Sequence, residues 1–482
     1  MPIHPTPDAG APPVAPDPPA AGHGLRPALW LGFGALAEIG YLIWARPAGG
    51  SLSYGTQLAL YLFLFIPVLL AVGRLRGQPF GGLDLRWALG FAVLFRLTLL
   101  FTTPVLSDDI YRYIWDGKMQ LNGINPFQFA PDDPALADLR DELHPLINHP
   151  EVPTLYPPLS QLLFAAAAFI STGVVGMKAL WVLVEIGTWL ALLRLWRLRA
   201  LSPAWFLLYL WNPLVIIEGS GSGHNDVLGV GLLVCSSVLI ILGRSGLSIT
   251  VLGAAVAAKL FPIIALPAWM RVVPKRFWVL PPLLWAALWA PYLGAGARLW
   301  EGLLTYGRHW ESNAFLFRYL RQAIEWLNLK EGIDALWGGI CTAMGKPGWE
   351  PLIWPHTEPR QIARLLVAAG LACAAVWLWR AGTEPPRAAF RLMGLVLVLA
   401  PTVHPWYLLW VLPFAAWYRA GAWFVFSATI FLSYAPAGWA GLPEWALLWL
   451  EYVPFLAVWG LEGRRRFSAR GRQGGPLPRT CR

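Results

Sequence analysis

Long apolar runs separated by short polar breaks make up most of this 482-residue chain. Runs of about 18 or more apolar residues with few charges are typical of transmembrane helices. The pattern predicts an all-α polytopic membrane protein with about 12–14 transmembrane segments and two large polar loops, 104–158 and 294–358. The apolar segments lie near 28–45, 56–73, 87–102, 159–172, 176–195, 204–218, 226–243, 247–270, 277–293, 361–379, 388–401, 405–418, 421–435 and 443–461.

The composition agrees with this class. Charged residues make up only 13% of the chain, against about 25% in ordinary soluble domains. The net charge of +10 does not indicate nucleic acid, because the basic residues cluster between apolar segments and after residue 463. The first residues are rich in Pro and Ala and lack the basic-then-apolar start of a signal peptide. We expect a disordered cytoplasmic tail (1–26), a transmembrane domain (27–461) and a basic cytoplasmic tail (462–482).

The positions of the basic clusters constrain the topology. If all fourteen segments cross the membrane, the Arg194–Arg199 cluster and Arg244 lie outside, against the preference of Lys and Arg for the cytoplasmic side. Segment 159–172 is short and segment 247–270 is interrupted by Pro262. If both are partial or re-entrant, every Arg cluster returns to the inside, and we favour this count. Either count places the two large loops outside, at the plasma (inner) membrane of a bacterium.

The loop 104–158 is the main candidate for a functional site. It holds nine of the 27 acidic residues, and it opens with Asp108 and Asp109 where an apolar segment ends. The simplest alternative is a solvated connection. Carboxylates at a bilayer interface are costly to desolvate and usually mark a site, so we favour function. The polar and aromatic residues that follow the pair are further candidates: Tyr111, Arg112, Tyr113, Trp115 and Asp116.

Two other polar groups interrupt apolar segments. The first is Glu218, followed by a Gly-Ser run and by His224-Asn225-Asp226, of which Asn225 and Asp226 can equally cap the next helix. The second is His404, with Trp406 and Tyr407 behind it; a buried His that only bonds a backbone carbonyl is the alternative. We expect these side chains to bind substrate.

Lys259 stands alone in an apolar segment. Snorkelling of its ammonium group to the membrane interface explains it simply, and an anionic lipid phosphate explains it equally well. Within 294–358, apolar residues recur at helical spacing with Arg and Trp between them, which predicts an amphipathic helix that either caps the bundle or covers a lipid substrate. The four cysteines show no spacing typical of zinc or of a disulfide framework.

Several of these stretches together resemble a known family. They are SDDIYRYIWDGKMQLNGINPFQFAPDDPAL, TLYPPLSQLLF, NPLVIIEGSGSGHND, AAKLFP and HPWYLLWVLPF, within residues 85–420. They are similar to bacterial polyprenyl-phosphate-dependent glycosyltransferases of the GT-C superfamily, and most to the alpha-mannosyltransferase group. The acidic loop follows the third apparent span here, whereas many superfamily members place it after the first, and no sizeable soluble C-terminal domain is present.

The resemblance implies transfer of a sugar, mannose by this likeness, from a polyprenyl-phosphate donor to a glycan or lipid acceptor at the outer membrane face. It implies that Asp108 or Asp109 acts as general base; we expect Asp108, which emerges first from the membrane. Arg112, Lys259 and His404 would bind the donor phosphate, and Tyr111, Tyr113 and Trp115 would shape the pocket. No cofactor is certain, although the Asp pair can hold a divalent metal. The competing interpretations are a lipid or solute transporter and a non-catalytic assembly subunit.

Overall fold

A computed structural model describes residues 27–46, 52–75, 80–198, 201–346, 348–349 and 357–473 of the chain. The predicted tail 1–26 and the end of the predicted tail 462–482 lie outside these residues. The described part is helical and contains no strand; its only β-type pairing is an isolated bridge between Ser312 and Thr402. The prediction of an all-α polytopic membrane protein is confirmed.

The first half of the structure is built from ten α-helices in the described residues. They are α1 (Pro27–Trp44), α2 (Tyr54–Leu75), α3 (Gly82–Leu100), α4 (Asp109–Leu121), α5 (Pro158–Ile170), α6 (Val174–Arg197), α7 (Pro203–Leu210), α8 (Pro213–Ile216), α9 (Asp226–Ile241) and α10 (Ser245–Ala258).

Ten more α-helices follow, with short 3₁₀ turns between several of them. They are α11 (Leu266–Val272), α12 (Leu280–Trp289), α13 (Glu301–His309), α14 (Phe315–Trp326), α15 (Leu329–Ala343), α16 (Pro359–Arg380), α17 (Pro385–Leu399), α18 (Leu412–Tyr418), α19 (Gly421–Thr429) and α20 (Glu444–Gln473).

Five helical runs in the described residues are long and apolar enough to span a membrane: Pro27–Trp44, Tyr54–Leu75, Val174–Arg197, Lys275–His309 and Pro359–Arg380. The other apolar segments form shorter helices. For example, α5 has 13 residues and is about 20 Å long at 1.5 Å per residue, less than the roughly 30 Å of a hydrocarbon core. The number of segments that cross, predicted as about 12–14, therefore stays a prediction.

Two interruptions of helical structure bring polar groups into the bundle. After α8, the chain forms a π-helical turn, Ile217–Gly221, and then a left-handed residue, Gly223, before α9 begins. The predicted break in segment 247–270 is present: α10 ends at Ala258, and Lys259 is extended before a 3₁₀ turn, Phe261–Ala265. Non-helical backbone at membrane depth is tolerated where protein buries it or where it lines a cavity.

The two large loops pack on each other. In the first, α4 crosses α5 so closely that a Cβ on Gly117 would collide with the carbonyl oxygen of Phe164. In the second, α13 lies against the end of the first loop, and a Cβ on Gly302 would stand 2.6 Å from the carbonyl oxygen of Thr154. The predicted helical character of the second loop is confirmed by α13 and α14.

The bundle behind the loops is held partly by polar contacts. Arg96 of α3 is fully buried and pairs with Glu185 of α6 at 2.5 Å. The Lys178 ammonium, also in α6, donates to the backbone oxygen atoms of Leu99 and Thr102 at the end of α3. These contacts fix the segment that leads into the acidic loop, and we did not predict them from the sequence.

Candidate functional site

A cavity of about 470 Å³ opens between the two large loops and the breaks in the bundle. The first loop and α4 supply its acidic and basic wall, the break after α10 supplies a lysine, and α13 and the 403–407 turn supply aromatic and histidine side chains. Its polar and aromatic lining includes Asp108, Asp109, Arg112, Asn148, His149, Tyr156, Lys259, Tyr306, Trp310, His404, Trp406 and Tyr407. Apolar residues such as Leu106, Leu260, Phe261 and Leu303 complete it.

The two predicted catalytic carboxylates lie side by side but in different surroundings. Asp108 precedes α4 and is exposed, whereas Asp109 is the first residue of α4 and its side chain is only 19% exposed. The Asn148 amide donates to both, at 2.6 Å to Asp108 Oδ1 and at 2.9 Å to Asp109 Oδ1. Asp109 Oδ2 also accepts a long hydrogen bond from the Tyr113 hydroxyl, 3.5 Å, and faces His224 Nδ1 at 3.7 Å. Asp109 thus joins the open cavity to the buried interior.

Arg112, one turn further along α4, is held by a buried carboxylate. Its Nε donates to Asp116 Oδ1 at 2.9 Å, and Thr154 Oγ1 and Gln161 Nε2 donate to the other Asp116 oxygen at 2.5 and 2.8 Å. Asp116 is buried and does not line the cavity, so it positions Arg112, although we predicted it to bind substrate. The Arg112 Nη2 is buried and has no hydrogen-bond partner among the described residues.

Lys259 reaches the cavity from the extended break after α10. Its ammonium donates to Asp226 Oδ2 at 2.7 Å and to Asn225 Oδ1 at 3.3 Å. The snorkelling explanation is therefore wrong for this residue. The capping explanation for the two partners fails as well: Asn225 precedes α9 without a side-chain cap bond, and Asp226 accepts from Lys259 and from Trp410 Nε1. Asn225 and Asp226 hold the lysine from behind.

His404 lines the cavity beside Trp406, with ring centroids 4.4 Å apart and nearly parallel planes. Burial lowers the pKa of His404 to about 4. Its ring is therefore neutral near pH 7, and it can offer a hydrogen bond to a phosphate or a sugar but no positive charge. Next to it, the Tyr407 and Tyr306 hydroxyl groups are 2.6 Å apart and link this turn to α13.

The remaining predicted residues lie behind the cavity wall. Tyr113 stacks on Phe164, and Trp115 packs edge-on against His144. The other members, Tyr111, Glu218 and His224, are also buried and are absent from the cavity lining.

Several lining residues were not predicted. Asn148 and His149 belong to the acidic loop, and their only sequence signal was their place between acidic residues. His149 has a left-handed backbone (φ 44°), and its ring contacts that of Trp310 with centroids 4.5 Å apart. Tyr306 and Trp310 lie in the second loop, where the helical pattern was visible but the face turned to the cavity was not. Among the described residues, no group of three or more His, Cys, Asp or Glu side chains is arranged to hold a metal ion.

The chain is similar to known glycosyltransferases. The profile of the family described as alpha-(1->6)-mannopyranosyltransferase, N-terminal domain, matches residues 29–275, just over half of the chain. This region includes the Asp pair, Arg112, the π-helical turn and Lys259. No solved structure matches.

Three curated relatives carry related names. Alpha-(1->6)-mannopyranosyltransferase A of Mycobacterium tuberculosis is 27% identical over 412 residues, which cover 76% of this chain and 73% of the relative. The A and B enzymes of Corynebacterium glutamicum are 28% and 23% identical, but the matches span only 35% and 57% of their lengths. These findings support an enzyme over a transporter or an assembly subunit. The chain belongs to the alpha-(1->6)-mannopyranosyltransferase family of membrane glycosyltransferases.

Proposed function

We propose that this protein transfers mannose from a polyprenyl-phosphate donor to a hydroxyl group of a glycan or lipid acceptor at the outer face of the bacterial plasma membrane. The names of the relatives support mannose and an alpha-(1->6) linkage. The observation that carries the proposal is a shared cavity in which a carboxylate, Asp109, and two basic residues, Arg112 and Lys259, face one space with apolar walls. A lipid-linked sugar phosphate needs this combination.

In the proposed reaction, the acceptor hydroxyl attacks the anomeric carbon as the bond from that carbon to the phosphate oxygen breaks. The bonding electron pair leaves with the phosphate, and the hydroxyl proton passes to a carboxylate. Attack from the face opposite the leaving group inverts the anomeric centre, so a beta-linked donor gives an alpha-linked product.

Asp109 is the better base of the pair. It lies at the cavity edge, it is only partly exposed, and its second oxygen contacts the buried His224 and Tyr113, whereas Asp108 is exposed. A positioned base contributes about 10²–10⁴-fold to the rate. This assignment replaces Asp108, which we favoured from its place in the sequence alone.

Arg112 and Lys259 are the proposed partners of the donor phosphate. A guanidinium can bind phosphate through two parallel hydrogen bonds, and Arg112 has a buried Nη2 available for one of them. Positive groups fixed near the leaving phosphate stabilise the charge that develops there. Asp116 and Asp226 hold these two cations in place before the donor arrives.

We propose that the reaction needs no divalent metal. The Asn148 amide nitrogen faces one oxygen of each Asp, so the space between the two carboxylates suits an N–H donor better than a cation. Chelation with EDTA should therefore leave transfer unchanged, and loss of activity that Mg²⁺ or Mn²⁺ restores would contradict this part of the proposal.

The direct test uses purified protein in lipid nanodiscs with radiolabelled polyprenyl-phosphate mannose and a panel of mannose-containing acceptors. We expect transfer to a mannosyl acceptor, with an alpha-(1->6) linkage established by linkage analysis. GDP-mannose serves as the matched soluble donor and should not be used. Transfer from GDP-mannose but not from the lipid-linked sugar, or no transfer from either, would overturn the proposal.

A further inference from the structure

Behind the cavity, one histidine lies between two carboxylates. His224 Nδ1 is 3.7 Å from Asp109 Oδ2, and His224 Nε2 is 3.2 Å from Glu218 Oε2. The ring is 1% exposed and Glu218 is fully buried. The ring stacks on Trp406 with centroids 3.9 Å apart, and the other Glu218 oxygen accepts from the Tyr434 hydroxyl at 2.9 Å. The three side chains form a continuous line from the cavity edge into the bundle.

The local backbone is shaped to produce this line. Glu218 lies in the π-helical turn, and the His224 backbone N–H donates to the Glu218 carbonyl at 3.1 Å. Gly223 between them is left-handed (φ 76°), and a Cβ there would stand 2.7 Å from Ile110 of α4. Single π-turns inside helical segments are frequent at functional sites. The short loop thus brings His224 against α4, directly behind Asp109.

The three groups need a shared proton. A neutral imidazole has one N–H and so can donate to only one of its two carboxylates. A buried carboxylate without a hydrogen-bond donor or a counter-charge is costly. With the ring proton on Nε2, the ring donates to Glu218 and its Nδ1 can accept a proton from Asp109; with the ring proton on Nδ1, the ring donates to Asp109, and Glu218 then carries a proton of its own. This geometry allows one proton to enter at Nδ1 as another leaves Nε2 for Glu218.

We propose that His224 and Glu218 act as positioning residues for Asp109, orienting its carboxylate and taking up the proton that it removes. This inference rests on the proposed function and deepens it. When the acceptor O–H breaks, the proton moves to Asp109 Oδ2 and then to His224 Nδ1, while the Nε2 proton moves to Glu218. The proton returns to water after the phosphate leaves, and no other reactant is needed.

Other titratable groups also face this line. Tyr113 approaches from α4, and His404 lies beyond Trp406 in the 403–407 turn. The charged neighbours on the packed elements are Lys178, whose side chain lies against Gly223, the Arg96–Glu185 pair beside Gly219, and the Lys259–Asp226 pair at the start of α9. None of the described contacts of Lys178 is with His224. Among the described contacts, the proposed proton path therefore passes only from Asp109 through His224 to Glu218.

The test compares His224→Gln and Glu218→Gln with the wild type under saturating and limiting substrates across pH 5–9, the range in which an imidazole titrates. Both changes keep hydrogen-bonding groups but remove proton transfer through the side chain. We expect kcat to fall at least about 10-fold, less than the roughly 10²–10⁴-fold expected for loss of the base itself, with the KM of donor and acceptor nearly unchanged. With the side-chain path removed, the proton can leave Asp109 only through the open cavity, so the shape of the kcat profile with pH should differ from that of the wild type.

Glu38→Gln is the matched control, because it removes a partly buried carboxylate of α1 that accepts from Thr98, far along the chain from the cavity residues. It should keep the wild-type profile. A monodisperse variant that still binds the donor is folded. If His224→Gln does not fold, Glu218→Gln alone decides the outcome. If a folded variant keeps the kcat and the pH profile of the wild type, the proposed role of His224 and Glu218 is overturned. The proposed function still stands in that case, because the wild type transfers the sugar. Absence of transfer by the wild type overturns the function itself.

Discussion

At the scale of single residues, adjacent positions in the sequence have different roles in the structure. Asp108 and Asp109 share the Asn148 amide, yet only Asp109 contacts the buried histidine. The direction of each side chain depends on where α4 begins, and α4 begins at Asp109. A pair of acids at a membrane interface was therefore predictable from the sequence. Which of the two contacts the buried histidine was not.

The first prediction separates the two carboxylates. Asp109→Asn should lower transfer by about 10²–10⁴-fold, equivalent to about 2.7–5.4 kcal/mol of transition-state stabilisation, because the amide cannot accept the hydroxyl proton. Asp108→Asn keeps the shape of the exposed partner and should cause a much smaller loss. Single-turnover rates with preloaded donor measure both. If Asp108→Asn loses as much transfer activity as Asp109→Asn, or more, the assignment of Asp109 as the base is wrong.

The second prediction concerns the donor phosphate. Lys259→Gln should raise the donor KM by about 10–100-fold, which corresponds to the roughly 1.5–3 kcal/mol of a hydrogen bond to a charged group. The acceptor KM should change little. Lys259→Arg keeps the charge and should recover part of the loss. His404→Gln should raise the donor KM less, because the His404 ring is neutral near pH 7.

The role of His404 is tested by measuring the donor KM of the wild type and of His404→Gln between pH 6 and 8, the range around the unperturbed histidine pKa. Because burial lowers the pKa of His404 to about 4, its charge appears only below this range. The wild-type and His404→Gln enzymes should therefore show the same slope of donor KM with pH. A slope that His404→Gln abolishes would make His404 a cationic phosphate ligand after all.

Several predicted site residues, moreover, support the site from behind. The sequence shows three of them, Asp116, Asn225 and Asp226, as polar groups near apolar segments. Polar and charged groups inside a membrane protein are usually functional. The structure pairs Asp116 with Arg112, and Asn225 and Asp226 with Lys259. Sequence spacing could indicate that these residues matter, but not which of them faces the cavity, because that depends on contacts between distant segments.

At the scale of elements, the periodic parts of the sequence were the predictable ones. The positions of α1, α2, α6 and α16 follow directly from apolar runs. The break at Lys259 was also visible, since a Pro lies three residues further on. The π-helical turn at Ile217–Gly221 was not, because its Gly-Ser sequence fits a simple loop equally well and only packing against α3 and α6 selects the turn.

The third prediction concerns the packing of α13 on the first loop. In Gly302→Ala, the new methyl group meets the backbone carbonyls of Pro153 and Thr154, and backbone cannot move aside easily. Overpacking of this kind costs about 1–3 kcal/mol. We expect a lower thermal midpoint and weaker transfer, because α13 carries Tyr306 and part of the cavity wall.

Gly307→Ala is the control for this change within the same helix. A Cβ at Gly307 meets nothing within 4 Å, and alanine in a helix is favoured over glycine by about 0.5–1 kcal/mol. Its thermal midpoint should equal or exceed that of the wild type, with normal transfer. If both variants unfold at the same temperature, α13 does not pack tightly on the first loop in the membrane.

At the scale of the whole molecule, the catalytic geometry depends on two loops that must lie on the same side of the membrane. Residues 104–158 supply the carboxylates, residues 294–358 supply Tyr306 and Trp310, and the two loops touch at Gly302. The sequence predicted this shared side from the distribution of Arg residues. It could not predict the contact itself, since loops of this length carry no periodic signal of how they meet.

The last prediction tests the side of the membrane directly. In a variant without its native cysteines, Ala135→Cys and His309→Cys place single thiols at exposed positions of the two loops, and Arg464→Cys places one at the basic end of α20. An impermeant thiol reagent added to intact cells should label the first two and reach Arg464→Cys only after lysis. Arg244→Cys distinguishes the two topologies: it should stay unlabelled if segments 159–172 and 247–270 do not cross fully, and it should react if all fourteen segments cross. Labelling of only one of the two loop positions in intact cells would contradict the shared cavity, because Asp109 and Tyr306 could not then face the same substrate.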